Sequence, residues 1–149
     1  MDKEELLDRY EATLDEATYL EARRLYEAAL AETTDDAQLL FEYGYLQECH
    51  GRNSLQAAIS SYQRAIELDP NFAMALALLS GVYSNNGRSA EAPRYSRRAF
   101  ELRDRVSERE RFFISWRYYI DAEQAWETAR AGDPFTLELC RRVIDEEYD

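Results

Sequence analysis

Residues 54–83 read SLQAAISSYQRAIELDPNFAMALALLSGVY. Two runs of helical length meet here with no linker, and Pro70 marks the point where the first must stop, because proline cannot continue a helix. In the first run Ala58, Tyr62 and Ala65 lie four and three residues apart, a spacing that gathers them on one helical face. A small, an aromatic and a small residue on that face suit close packing against a second helix. The stretch therefore predicts a helical hairpin that can stack on others of its kind.

The same offsets recur along the chain. Ala22, Tyr26 and Ala29 repeat them upstream, and Ala92, Ser96 and Ala99 downstream. The helices that precede them carry Leu40-x2-Tyr43-Gly44-x2-Gln47 and Leu76-x2-Leu79-Ser80-x2-Tyr83. Spaced 34–36 residues apart, these copies resemble the tetratricopeptide repeat, a helix–turn–helix unit of about 34 residues with a Trp-x2-Leu-Gly-x2-Tyr first helix. The resemblance covers about residues 3–134 and is strongest over 37–106. It implies an all-α fold, a right-handed superhelical solenoid of helix–turn–helix repeats closed by a C-terminal capping helix.

We read the 149 residues as a single domain with repeats over about 3–36, 37–72 and 73–106, a shortened fourth hairpin over 107–132 and a capping helix over 133–147. Asp2 with Glu5 forms a capping box for a helix over about 3–16, and Thr33–Asp36 is a polar turn that caps the next. Gly44 implies that another helix crosses it too closely for a side chain, since glycine costs a helix about 1 kcal/mol relative to alanine. Pro93 falls in a first helical turn, where a missing N–H is tolerated, and Asn85–Arg88 supplies the turn before it. Register is ambiguous after Arg105. One full repeat puts the next first helix near Ser107, whereas Ala122, Trp126, Ala129 and Pro134 fit a second helix about four residues early. The run of aromatics in residues 112–120 is too dense for one stripe, so cover on more than one side is expected, with Leu137, Cys140 and Ile144 of the capping helix supplying it.

Composition excludes several function classes. Hydrophobic residues are 46% and charged residues 32%, with five glycines and three prolines, which argues against disorder. Net charge is −12, of which residues 1–75 hold 16 acids against 6 bases, or −10. Such a surface repels nucleic acid and anionic membrane and favours neutral or basic protein partners. The apolar run Phe72–Leu79 is too short to span a bilayer. Two distant cysteines, Cys49 and Cys140, and a charged N-terminus without a secretory pattern point to the reducing cytoplasm.

No catalytic or cofactor motif stands out. His50 is the only histidine and follows Cys49, but neighbours on a helix point about 100° apart and a zinc site needs three or four convergent ligands. A histidine ending a helix more simply serves the terminal carbonyls. Acid pairs such as Asp35-Asp36 show no desolvated partner of the kind acid–base catalysis requires. Nine arginines in residues 88–117 are interleaved with acids, which suggests ion pairing along the helices. We expect no enzyme, no metal and no cofactor.

The resemblance implies instead a binding groove, the concave face lined by first helices. Carried onto this sequence, that face holds Gln38, Phe41, Tyr45 and Glu48 around Gly44, and Met74, Ala77, Gly81 and Ser84 around Ser80, with Asn85 adjacent. Glu4, Leu7, Glu11 and Leu14 correspond around Tyr10, and Arg111 in the last hairpin. Phe41, Tyr45 and Met74 would form an apolar floor, Ala77 and Gly81 a recess, and Glu11, Glu48 and Arg111 a charged rim. A peptide or protein segment with apolar anchors is the expected partner. A homodimer through exposed repeat faces is the alternative, as is a groove filled by the chain's own C-terminal helix. Capture of acidic chaperone tails is not expected, because Leu7, Glu11, Phe41, Glu42, Met74 and Leu78 stand near where that branch of the family places cationic and amide side chains.

Overall fold

The computed structural model describes residues 1–129, and among them every regular element is a helix. Seven α-helices follow in order: α1 Lys3–Thr13, α2 Glu16–Glu32, α3 Ala37–His50, α4 Leu55–Leu68, α5 Ala73–Asn85, α6 Ala92–Glu101 and α7 Glu108–Ala129. Consecutive helices pack as antiparallel neighbours, and α7 lies against both α5 and α6.

Local sequence accounts for most of the boundaries. The Asp2 carboxylate accepts from the Glu5 N–H and the Glu5 carboxylate from the Asp2 N–H, a reciprocal capping box. Asp15 and Asp36 cap α2 and α3 by accepting from the Thr18 and Leu39 N–H groups, without the reciprocal bond. Leu14 ends α1 in the left-handed region, at φ 52°, so α1 stops three residues before the expected Glu16. After α3 the chain makes one turn of 3-10 helix over Arg52–Ser54, entered through Gly51 at φ 104°. Pro93 sits in the first turn of α6, which starts at Ala92 rather than at the expected Ser89.

The repeated small and aromatic positions are where the hairpins close. Ala22, Tyr26, Ala58, Tyr62, Ala65, Ala92, Ser96 and Ala99 are all buried. One hydrophobic cluster joins α1 and α2 to α3, and a larger one runs from α4 through α5 and α6 to α7. At the centre of the second hairpin the Tyr62 ring lies where a side chain on Gly44 would go. A Cβ built there would stand 2.8 Å from the ring and 3.3 Å from Ser61. The close crossing inferred from the glycine is what the structure contains.

The chain departs from expectation after Arg105. Residues 107–132 were expected to form a shortened hairpin, but 108–129 are one uninterrupted helix. No glycine or proline falls between Glu108 and Ala129 to break it, and Ser107 with Glu110 caps its start. A helix does begin next to Ser107, where one full repeat places it. Of the aromatic run, Ile114 and Tyr118 are buried against α5 and α6, whereas Phe112, Trp116 and Tyr119 are exposed at 77%, 49% and 43%. Pro134, Cys140 and the capping helix expected over 133–147 lie outside the described residues.

Two glycine substitutions separate close packing from helix propensity. Gly44→Ala forces a methyl into Tyr62, and overpacking of about 1–3 kcal/mol outweighs the roughly 1 kcal/mol of propensity gained. Gly81→Ala, whose nearest neighbour is 3.8 Å away, should keep the gain. Urea denaturation is expected to show the first variant destabilised and the second unchanged or stabilised.

Candidate peptide-binding groove

The first helices of the hairpins, together with α7, share one side of the stack. On it Phe41 and Tyr45 of α3, Met74 and Leu78 of α5, and Ser107, Arg109, Glu110 and Phe113 at the start of α7 enclose a cavity of about 480 Å³. The floor is apolar. Phe41 packs against two other rings, with centroids 4.9 Å from Phe72 and 6.0 Å from Tyr62.

Polar groups around it are already engaged. The Tyr45 hydroxyl donates to Glu11 Oε1 at 2.7 Å, tying α3 to α1, and burial with this bond raises its pKa. The Tyr62 hydroxyl donates to Glu48 Oε2 at 2.7 Å. Burial raises the Glu48 carboxyl above the ordinary range, opposed by that bond and by the charge of Arg117. Burial also pushes the Cys49 thiol up to about 11, which keeps it an unreactive thiol at neutral pH.

Beyond the pocket, α7 occupies the expected recess. Arg117 donates from Nε to Ser80 Oγ at 3.1 Å, and from Nη2 to Ser84 Oγ at 2.8 Å and Asp121 Oδ1 at 2.7 Å. Its guanidinium lies 3.8 Å from where a Gly81 side chain would begin. Asp121 is 2% exposed. Burial raises its carboxyl most, while Ser96, Arg117 and Ser80 pull the other way.

The residues expected on the groove thus divide. Phe41, Tyr45 and Met74 come together as the floor. Ala77 does not join them: it is fully buried in the core. The recess beside Gly81 is filled by Arg117, and Ser84 is spent on the same guanidinium. Glu48 is half-buried beneath Tyr62 rather than on an open rim, and Asn85 is exposed at the end of α5. Arg111 is displaced: it faces Asp104 at 3.8 Å. Two residues short of Phe113 on a helix is about 200° of rotation, so when Phe113 faces the pocket Arg111 faces away, and Arg109 takes the rim. Leu78, one turn after Met74, was available to the same spacing rule. Phe113 and Arg109 depended on the register of α7.

His50 serves the joint between the first two hairpins. Its ring stacks on Tyr19 with centroids 3.5 Å apart, and its nitrogens meet Ser54 Oγ at 2.7 Å and Glu16 at 3.0 Å. Among the described residues no three His, Cys, Asp or Glu side chains gather as a metal site requires, and no helix is long and apolar enough to cross a membrane.

Comparison with known proteins bears on this arrangement. Residues 61–92, from α4 to the start of α6, match the family model of the tetratricopeptide repeat. The chain carries a tetratricopeptide repeat. Solved structures share the helical fold over most of the sequence. The type III secretion translocator chaperone SycD of Yersinia enterocolitica aligns with a TM-score of 0.65 at 16% identity, over 81% of this chain and 83% of its own. SycD in complex with a peptide of the translocator YopD aligns at 0.61 and 17%, over 81% and 92%. MamA aligns at 0.62 and 18%, over 98% of this chain and 73% of its own. At such identities the likeness is one of fold. No curated protein matches the sequence at a significant level.

The Tyr62–Glu48 contact beneath the groove has a defined pH signature. A carboxyl whose folded pKa lies above its unfolded one contributes stability below the unfolded value, and loses it as pH rises through the folded value. Glu48→Gln keeps an acceptor for Tyr62 and removes the ionisation. Thermal denaturation should find the two proteins equal near pH 4 and the variant more stable at pH 7. Glu48→Ala, which strands the hydroxyl, should lose about 1–3 kcal/mol.

Proposed function

We propose that the chain is a non-catalytic protein-interaction scaffold that takes a peptide or protein segment in its concave groove. The observation that carries this is the open apolar pocket of about 480 Å³ between α3, α5 and α7. Its floor is built from Phe41 and Tyr45, each held by a contact within the fold, which lowers the ordering cost of a ligand. SycD, a neighbour in fold, has been solved with a translocator peptide bound, which supports a peptide as the class of ligand. We extend the proposal to the cytoplasm as compartment, in keeping with the free Cys49. In the same reading Phe41, Tyr45 and Met74 bind the segment, while Ala77, Ser84, Glu48 and Arg111, expected on the same face, are engaged elsewhere.

Capture from lysate of the native cell tests it. Phe41→Ala with Tyr45→Ala should lose captured partners that Glu123→Ala, an exposed change on α7, retains, with helicity checked by circular dichroism. Identical capture by both variants would remove the groove from the function.

A second reading has its own observation. Phe112, Trp116 and Tyr119 stand exposed on α7 and could pair with a second copy of the chain, making it a self-associating structural module. Light scattering across a hundredfold range of concentration should show a monomer under the first reading. A dimer dissolved by Trp116→Ser but untouched by the Phe41 and Tyr45 changes would favour the second.

Acidic chaperone tails should not bind. With Glu11 and Glu42 near the groove and Met74 and Leu78 in place of cationic donors, calorimetry with such a peptide is expected to give no heat at micromolar concentrations.

A further inference from the structure

We infer that the groove sets the direction of the segment it holds, with the segment's basic end toward α1 and its acidic end toward α7. This rests on the groove-binding reading and adds to it the order of charges in the ligand. The floor between the two ends, Phe41, Met74 and Leu78, carries no charge, so it accepts apolar anchors without regard to orientation. Direction must come from the rim.

The two sides of that rim differ in sign. On the α1 side Glu11 is exposed, and its carboxylate is met only by the neutral hydroxyl of Tyr45, so its charge is not cancelled by any described cation. On the α7 side Arg109 is exposed and has no ion-pair partner among the described residues. The neighbouring Glu110 also lines the pocket but is half-buried, its carboxylate accepting from the Ser107 N–H at 3.4 Å, and Arg111 is directed to Asp104, which leaves Arg109 as the exposed charge on this side.

The wider charge distribution has the same polarity. Residues 1–75 carry −10, whereas residues 88–117 hold nine arginines against Glu91, Glu101, Asp104, Glu108 and Glu110, a balance of +4. Complementary charge acts chiefly on orientation and rate of encounter, and screening at physiological salt confines it to about 8 Å. The residues that decide are therefore Glu11 and Arg109, beside the pocket, with the rest of each half setting the approach. A uniformly acidic ligand meets repulsion at one end and a uniformly basic ligand at the other. The fitting ligand is a segment of mixed charge, basic before or after its apolar anchors and acidic on the opposite side.

A synthetic peptide with two lysines at one end, alternating leucine and alanine between, and two glutamates at the other tests this with the full-length protein. A nitroxide label is attached to the lysine end in one preparation and to the glutamate end in another. Amide NMR signals of α1 around Glu11 should lose more than half their intensity with the first label and those of α7 around Arg109 with the second. In the double variant Glu11→Lys, Arg109→Glu, both exposed positions, the pattern should invert. Binding with equal broadening at both ends, or with no inversion, would overturn the orientation while leaving the groove reading intact. Absence of binding to the millimolar range would overturn both.

Discussion

Tyr62 is wholly out of water, with its ring against the bare Cα of Gly44 and its hydroxyl on Glu48. Three levels of the structure meet in that contact. The missing side chain lets α3 and α4 approach closely, which closes the second hairpin. The ring in turn supports Phe41, which is one wall of the pocket. Its hydroxyl fixes the carboxylate of Glu48 beneath the groove rather than in it. Because each helix advances about 100° per residue, fixing one crossing also fixes which faces of α3 and α5 look into the concave side. The groove is thus a consequence of hairpin packing and needs no separate interaction to shape it.

What could be read in the sequence follows from how local each determinant is. The capping box at Asp2 and Glu5, the turn at Asp36 and the tolerance of Pro93 all depend on residues within one helical turn, and all are present. The small and aromatic offsets at Ala58, Tyr62 and Ala65 are also local, and every one of those side chains is buried. The C-terminal register was harder because Ala122 and Trp126 carry second-helix spacing while lying in the one helix that starts at Glu108. Small and aromatic residues at these offsets say that a helix is packed, not which member of a hairpin it is. The start of α7 is instead specified by Ser107 and Glu110, three residues apart.

The groove was legible where it depended on α3 and α5 and not where it depended on α7. Phe41, Tyr45 and Met74 follow from the spacing around Gly44 and Ser80. The fate of the recess turns on a replacement in the third hairpin, Ser96 where the first two have Tyr26 and Tyr62. Ser96 is buried but leaves room that an aromatic ring would fill. Arg117 and Asp121 of α7 come in over Ser80 and Ser96 and form an ion pair in which the side chains are only 12% and 1% exposed. A buried pair adds little net stability over apolar residues of the same size, yet losing one partner is costly. Here it ties α7 to Ser80 and Ser84 of α5 and fills the recess beside Gly81.

That closure also bounds how tightly the groove can hold a ligand. A cavity of about 480 Å³ is at the lower end of ligand-site volumes, and admits one or two large side chains rather than a whole helical face. Each such side chain contributes about 1.5–3 kcal/mol on leaving water, against the cost of association and of ordering an extended segment. Two anchors together supply about 3–6 kcal/mol, short of the roughly 8 kcal/mol of a micromolar complex, so this pocket alone holds a segment more weakly than that. With Arg117 spent on Ser80, Ser84 and Asp121, and Glu48 spent on Tyr62, the groove has few unpaired polar groups that a ligand could satisfy. Discrimination between ligands therefore falls to the shape of the apolar floor and to the exposed charges at its edge.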